Sequence, residues 1–361
     1  MKKTVDVSIP LGPMHPVWKE PCRLKCETIG EQVIRAEMEL GYMKKGIERI
    51  MRGRPWQEVM FLAERVCGIC SVIHNMVFIE AMEQLSDIAV PDRAASLRVI
   101  VNELDRIASH MIANFSFCYT IEHETLGMYI LNTRETVLDM LERITGARVT
   151  CAYIIPGGVR FDLLDEDREA LLSALDTIEA DTRRYITMFD EGPLIALRSR
   201  GVGTLTPEQA RESHAVGPTA RASGIAEDHR SHHPTYQRLG FTPVVLTGGD
   251  NHDRIMLRFL EIIQSVDLIR TAVTTLPDGS IRGGGIMKKG TVEYAGEAPR
   301  GELKYRIKAD SYGRIQEIFI QTPSIMNIEA CVHYMIPCCA SIADVSATYI
   351  SSDPCVACTE R

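Results

Sequence analysis

Apolar and polar residues alternate through the first forty positions of this chain. Leu24 and Cys26 stand between polar neighbours, Gly30-Glu31 marks a turn, and Ile34, Ala36, Met38 and Leu40 alternate again. A period of two predicts strands. From Cys70 the period lengthens: Val72, Ile73, Met76, Val77, Ala81, Met82 and Leu85 follow i, i+3, i+4 spacing and predict an amphipathic helix. Pro91-Asp92 opens a second helix through Leu97, Ile100, Val101, Leu104, Ile107 and Met111. Further helices are predicted over about 124–144, ending at Gly146, over about 164–188, and over about 250–275. Thr206-Pro207-Glu208-Gln209 has the form of a capping box with Pro at the first helical position, so a short helix should start there. Residues 302–320 return to alternation around Ser311-Tyr312-Gly313, which predicts a β-hairpin. A last helix is expected over about 325–350.

No repeat, low-complexity tract or linker interrupts this order. The expected fold class is α+β and predominantly α: a central bundle of long helices, with small β-hairpin or sheet additions near the N-terminus and before the C-terminal helix. One domain over 1–361 is expected. Its parts are an N-terminal β part (1–45), a mainly helical part (46–290), and a C-terminal part (291–361) holding the hairpin, the helix and a cysteine-bearing segment.

Composition narrows the function classes. The 48 acidic residues exceed the 40 basic ones, for a net charge of −8, and no basic stripe suits nucleic acid. The least charged long stretch, Ala330 to Ala343, contains His333 and Pro337 and is shorter than the roughly 20 residues of a spanning helix. Eleven cysteines is an odd number, and Met1-Lys2-Lys3-Thr4-Val5-Asp6 carries no apolar leader-like run. A reducing compartment and a metal or catalytic role are therefore expected rather than a disulfide framework.

Four of the cysteines form two Cys-x-x-Cys pairs at opposite ends of the chain, Cys67/Cys70 and Cys355/Cys358. That spacing turns two thiolates toward one point, so two pairs can supply four sulfurs to one centre. By itself the pattern fits a structural zinc site. The surroundings differ from a zinc knuckle, because Cys70 opens a long amphipathic helix.

The segments Glu64-Arg65-Val66-Cys67-Gly68-Ile69-Cys70-Ser71-Val72-Ile73-His74 and Asp353-Pro354-Cys355-Val356-Ala357-Cys358-Thr359-Glu360-Arg361 resemble the two signatures of nickel–iron hydrogenase large subunits. The Thr-Glu-Arg ending and Gly12-Pro13-Met14-His15-Pro16 resemble the energy-converting, membrane-complex-associated branch (group 4). That branch is similar to the 49-kDa-type subunit of respiratory complex I, which lacks the four cysteines. The resemblance runs through Gly157-Gly158-Val159-Arg160, residues 217–224, Gly248-Gly249-Asp250, residues 297–302 and residues 322–327.

The resemblance implies a nickel–iron centre whose iron carries two cyanides and one carbon monoxide. Cys67 and Cys355 would be terminal nickel ligands, and Cys70 and Cys358 would bridge the metals. It implies heterolytic cleavage of H2, with the proton taken by a nearby base. Arg300, aimed by Pro299 and Gly301, resembles the guanidinium over the open metal position. Ser324 resembles the hydroxyl that bonds a cyanide, and as a residue it also reads as a helix N-cap before Ile325. His74 lies one helical turn after Cys70, where it can donate to a bridging sulfur. Glu20 resembles the family's proton-gate glutamate beside Cys355, and Asp353 belongs to the residues that support the ligands.

Two positions depart from the better-known uptake enzymes. Arg361 stands where a His helps to bind magnesium, which leaves that magnesium in doubt; the expectation is that Arg361 pairs with Glu48 in its place. Ser109 replaces the aspartate over the active site. Glu103, Arg106 and His110 share a stripe of their helix and suit an internal polar network or proton route. Cys22, Cys26, Cys118, Cys151, Cys331, Cys338 and Cys339 have no site-forming spacing, Cys338-Cys339 being expected inside an apolar helix. His229, His232 and His233 read as a loop.

The implied function is the catalytic subunit of an energy-converting hydrogenase, with no iron–sulfur cluster in this chain. Its implied partners are a small subunit carrying a [4Fe–4S] cluster, further iron–sulfur and membrane ion-translocating subunits, and ferredoxin. It would sit in the cytoplasm, peripheral on the inner face of the membrane. The other class left open is a non-catalytic, complex I-like scaffold holding zinc.

Overall fold

The computed structural model describes residues 7–361; the expectation placed on Met1–Asp6 lies outside the described residues. Its centre is the helix Asp92–Thr120, which continues well past the predicted Met111 because Ala113, Phe117 and Cys118 keep the apolar spacing. This helix packs against both Glu124–Thr145 and Asn251–Thr274, and Asp165–Glu191 closes the group against those two. The connection between Asp92–Thr120 and Glu124–Thr145 is only Ile121-Glu122-His123, so the two run as antiparallel neighbours. The fold is α+β, predominantly α, as the periodicity indicated.

Two three-stranded antiparallel sheets flank the helices. The first joins Val7–Leu11, Arg23–Ile29 and Gln32–Glu39, with Cys26 paired to both Ile9 and Ala36. Its inner face buries Leu24, Cys26, Val33 and Ala36. The second joins Gly290–Ala298, Gly301–Ala309 and Ile315–Gln321. Its central strand buries Leu303, Tyr305, Ile307 and Ala309 in strict alternation. The predicted hairpin is thus present but has a further strand, Gly290–Ala298. That strand escapes the pattern because Gly296 and its polar neighbours give it little alternation; it forms by pairing and by packing on the helix Ser71–Ser86.

The single last helix expected over 325–350 is corrected. The chain forms Pro323–Ala330, a π-helical turn over Cys331–Met335, a 3-10 turn over Ile336–Cys338, and then a separate helix Ala343–Ser351. Pro337 has no N–H to donate, so the helical ladder cannot pass it. Cys338 and Cys339 therefore end a turn rather than sit inside a helix. The break has a use: the Cys339 carbonyl accepts from Val33 N at 3.2 Å and ties the C-terminal segment to the first sheet. Among the described residues no helix is long and apolar enough to cross a membrane.

Candidate metal centre

The two cysteine pairs meet. Cys67 follows the helix Trp56–Glu64, and Cys70 stands at the N-cap of Ser71–Ser86. Cys355 stands at the N-cap of the short helix Val356–Thr359, which carries Cys358. Sγ–Sγ distances are 3.1 Å for Cys67–Cys70, 3.1 Å for Cys355–Cys358 and 3.8 Å for Cys67–Cys355. These are well beyond the ~2.05 Å of a disulfide bond, and all four thiols are free and buried. Hydrogen bonds from Cys355, Cys358 and Cys70 hold the Cys67 thiol well below its usual range. Cys358 is pushed well up by the hydrogen bonds it shares with the other three. Four thiolates this close cannot all ionise unless a cation lies among them. A cation removes that conflict, since a coordinating thiol is deprotonated outright. The donor set therefore fits a soft or borderline metal.

Arg300 sits in the two-residue turn between the strands Gly290–Ala298 and Gly301–Ala309 and is 1% exposed. Its Nη1 lies 3.7 Å from Cys70 Sγ and donates to Ser109 Oγ at 3.3 Å. Its Nε and Nη2 donate to the Asp353 carbonyl at 2.8 Å and to Asp353 Oδ1 at 3.1 Å. Backbone fit explains this aim. Gly217, at φ +64°, lets its segment approach so closely that a Cβ there would lie 2.4 Å from the Arg300 carbonyl. Gly301, at φ +125°, meets the same segment from the other side, with Gly217 N 2.7 Å from its would-be Cβ. Asn327 clamps both segments, donating to the Arg300 carbonyl and accepting from Val216 N, each at 3.0 Å. Pro299, the first residue of the turn, holds φ there.

Asp353 is fully buried with φ +52°, a left-handed conformation that Asp tolerates better than most residues. Burial works against its charge, but Arg300 and Lys19 outweigh it and hold the carboxyl below its ordinary value. Lys19 donates to Oδ1 at 2.8 Å.

His74 reaches across the centre, with Nε2 3.9 Å from Cys358 Sγ and Nδ1 2.8 Å from the Tyr305 hydroxyl. Burial pushes its imidazole down to about 4, so the ring is neutral. Glu20, half-buried, accepts from Ala357 N at 3.0 Å, between the second pair of cysteines. Ser324 Oγ accepts from Cys355 N at 3.0 Å. The N-cap reading of Ser324 is corrected: the cap is Thr322, before Pro323, and no side chain caps that helix. At the chain's end, Arg361 Nε donates to Glu48 Oε1 at 3.1 Å, and the same oxygen accepts from Ile320 N at 2.8 Å. Glu360 adds a second tie, accepting from Gly41 N and Met43 N, each at 2.6 Å.

The structure thus brings together the residues singled out in the sequence and adds Lys19, Tyr305 and Thr322, whose hydroxyl donates to the Cys358 carbonyl at 3.2 Å. Tyr305 carried one legible signal, an inward position in an alternating strand. Lys19 carried none.

The sequence of residues 45–118 matches the family model of nickel-dependent hydrogenases, and residues 121–288 match that of the respiratory-chain NADH dehydrogenase 49-kDa subunit. The chain is 34% identical to the carbon monoxide-induced hydrogenase of Rhodospirillum rubrum, covering 98% of this chain and 99% of that protein. It is 33% identical to the membrane-bound hydrogenase subunit alpha of Pyrococcus furiosus, covering 98% and 87%. The chain belongs to the family of nickel–iron hydrogenase large subunits, which is related to the 49-kDa subunit of complex I. Within that family it falls in the energy-converting, membrane-associated branch. A chain from the membrane-bound sulfane sulfur reductase, an archaeal respiratory membrane complex, has the same fold, with a TM-score of 0.92 at 24% identity over 99% of each chain.

Proposed function

We propose that this chain is the catalytic subunit of an energy-converting nickel–iron hydrogenase that interconverts H2 with protons and electrons. One observation carries the reading: four buried free thiols from opposite ends of the chain converge beside a buried guanidinium. In this reading Cys67, Cys70, Cys355 and Cys358 hold nickel and an iron bearing two cyanides and one carbon monoxide. Bound there, the pair supplies the Lewis acid and redox chemistry for heterolytic H2 cleavage.

The remaining groups are the protein's own contribution. Arg300 keeps a fixed positive charge over the centre, because Asp353 and the neighbouring sulfurs outweigh the cost of burying it. The side of Arg300 that faces Cys70 and the Ser324 hydroxyl would suit the nitrogen ends of cyanides. Glu20 accepts the proton beside Cys355 and passes it outward. The hydrophobic packing around the thiols keeps water away and sharpens these charges. The three parts of the chain, 1–45, 46–290 and 291–361, act as one domain in this reading, since the centre draws ligands from the second and third parts and Glu20 from the first.

With its four paired cysteines used, the chain has no further set for an iron–sulfur cluster, so electrons leave through a small subunit carrying a [4Fe–4S] cluster and on to ferredoxin. Membrane ion-translocating partners would hold the chain at the inner face of the membrane. Infrared bands of bound carbon monoxide and cyanide in the purified complex, with nickel and iron in near-equal amounts, test this directly.

A second reading rests on the match of residues 121–288 to the 49-kDa subunit: a non-catalytic scaffold whose four cysteines hold zinc. Zinc alone, without the infrared bands, supports that reading instead.

A further inference from the structure

The connection between the first and second strands, residues 12–22, lies against the C-terminal cysteine segment and carries Lys19. Trp18 anchors it: the indole N–H donates to the Gly12 carbonyl at 3.0 Å, and the ring stands edge-on to Tyr349 at 4.8 Å. Cys22 Sγ lies 3.4 Å from the Tyr349 hydroxyl. Lys19 and Glu20 then reach the chain on either side of Cys355. Lys19 Nζ donates to Asp353 Oδ1 at 2.8 Å, and Glu20 accepts from Ala357 N at 3.0 Å. The Lys19 side chain is 16% exposed, so its charge is held largely inside the protein. Burial pulls the ammonium below its ordinary value, against the pull of Asp353.

Two cations meet at Asp353. Arg300 Nη2 donates to the same Oδ1 at 3.1 Å, while its Nε is spent on the Asp353 carbonyl at 2.8 Å. Oδ2 is buried and has no hydrogen-bond partner among the described residues. A guanidinium beside a carboxylate favours a fork, with one bond to each oxygen. Other buried pairs in this protein make it. Arg98 spans both oxygens of Glu83 at 2.8 and 2.6 Å, and Arg230 both oxygens of Asp228 at 3.0 and 2.8 Å. Arg221 meets Glu261 through one oxygen, and there His110 takes the other at 2.8 Å. At Asp353 the second oxygen stays open although Arg300 lies beside it.

The missing fork matters at the other end of the guanidinium. Arg300 Nη1 is left to Ser109 Oγ at 3.3 Å and faces Cys70 Sγ at 3.7 Å. To fork on Asp353, the guanidinium must turn and give up either the carbonyl or these Nη1 contacts. Lys19 opposes that turn in two ways. It holds the carboxylate by Oδ1, and its charge offsets part of the pull of Asp353 on Arg300. Two cations share one carboxylate, so the three groups together carry one positive charge beside the thiols. Arg258 also lies within electrostatic reach of Asp353 and Arg300. Its Nη1 is given to the Arg254 and Ser351 carbonyls, at 2.6 and 2.9 Å, and its charge is the same with or without Lys19.

We propose that Lys19 is a positioning residue for Arg300: by holding Asp353 it denies the guanidinium a fork on that carboxylate and keeps Nη1 turned toward Cys70. The effect on bound metals rests on the proposed hydrogenase function; the arrangement of the three side chains does not. Without the Lys19 charge, Arg300 closes on both Asp353 oxygens. The pair then neutralises itself, and the positive charge beside the thiols is lost. Less positive surroundings leave more electron density on a metal bound by those sulfurs. Lys19 acts through Asp353 and Arg300, not as a ligand.

The test uses the whole complex carrying Lys19→Met, which keeps a long side chain without its charge, or Lys19→Arg, which restores the charge. Metal content, the carbon monoxide and cyanide infrared bands, and a cryo-electron-microscopy map are read for each. In the map of Lys19→Met, Arg300 should donate to both Asp353 oxygens and draw Nη1 away from Cys70. The bands should move to lower wavenumber, and Lys19→Arg should return them toward their unaltered positions. A merely stabilising ion pair predicts a different result: less metal, with the remainder giving unshifted bands and Arg300 in its present place. Unchanged Arg300 contacts, or unshifted bands in metallated Lys19→Met, overturn the proposal. If Lys19→Met does not assemble, the neutral Lys19→Gln is read by the same two measures. Absence of carbon monoxide and cyanide bands in the unaltered complex would instead count against the hydrogenase function, and the position of Arg300 in the map then judges Lys19 alone.

Discussion

Tyr305 sets the orientation of His74: its hydroxyl holds Nδ1 at 2.8 Å while Nε2 faces the Cys358 sulfur at 3.9 Å. With the ring neutral, a Tyr305 hydroxyl that donates to Nδ1 leaves the proton on Nε2, aimed at the sulfur. Tyr305→Phe removes that control. The variant should lose about 1–3 kcal/mol of stability, from the buried acceptor left unpaired. If the metals are those proposed, its infrared bands should shift without loss of metal. Unshifted bands would show that the Nε2 contact does not tune the sulfur.

Glu20 contacts the backbone between Cys355 and Cys358 and is half-buried; the proposed function gives its carboxylate the exchange of protons between centre and solvent. Glu20→Gln preserves the shape and the bond to Ala357 N but cannot carry a proton. It should retain the metals and slow hydrogen–deuterium exchange by about 10²-fold or more. Unchanged exchange in a fully metallated variant sinks the assignment.

Asp353 offers a stability test. It is buried between Lys19 and Arg300, and Asp353→Ala would leave both cations without their carboxylate. Breaking a buried pair in this way costs about 3–5 kcal/mol. Replacing Asp353 by Asn, which keeps the shape, should cost less and still weaken metal retention. Chemical unfolding of the two variants checks the order.

The Arg361–Glu48 pair joins the last residue to the helix Ile47–Met51 at a partly exposed site. In the proposed function this guanidinium would bring the positive charge that the resemblance assigns to a magnesium ion in the uptake enzymes. Arg361→Ala should raise the rate at which metal is lost to a chelator, and Arg361→Lys should restore only part of the protection, since Lys lacks the planar fork. Octahedral metal density at Glu48 in the unaltered protein would refute the replacement.

Two buried groups set opposite pH slopes. His110 is pushed down to about 4 from an unfolded value of 6.5, so the unfolded chain binds more protons in between. Its contribution is present above pH 6.5 and is lost as pH falls toward 4. Glu64 is pushed up to about 7 from 4.5 by burial, although Ala152 N donates to it at 2.7 Å. Its contribution is present below pH 4.5 and is lost as pH rises to 7. Thermal melts should therefore show His110→Gln flattening the acid side and Glu64→Gln flattening the slope between 4.5 and 7. Parallel curves for all three proteins would contradict both shifts.

The helices of the bundle and the central and third strands of the second sheet are readable from the spacing of their apolar residues, even though residues 96–111 of the central helix are buried all round. The strand Gly290–Ala298 and the broken segment over 323–351 are not. The first forms through pairing to a neighbour, and the second depends on how the chain folds around Pro337. Spacing after Cys70 makes His74 a candidate, whereas Arg300, Glu20 and Ser324 are candidates through what the resemblance implies.

What the chain alone determined is therefore the set of donors: two cysteine pairs, an arginine between Pro and Gly, and an arginine three residues after Cys358. Only the tertiary structure decided which partners hold them. Lys19 against Asp353, Tyr305 behind His74, and Glu261 behind His110 each join residues far apart in sequence. Such pairs leave no local periodicity, because a hydrogen bond between distant segments constrains one atom on each side and not the pattern around it. The same holds for the backbone approach of Gly217 to Arg300. The sequence specifies a chemistry, and packing determines where its charges are held.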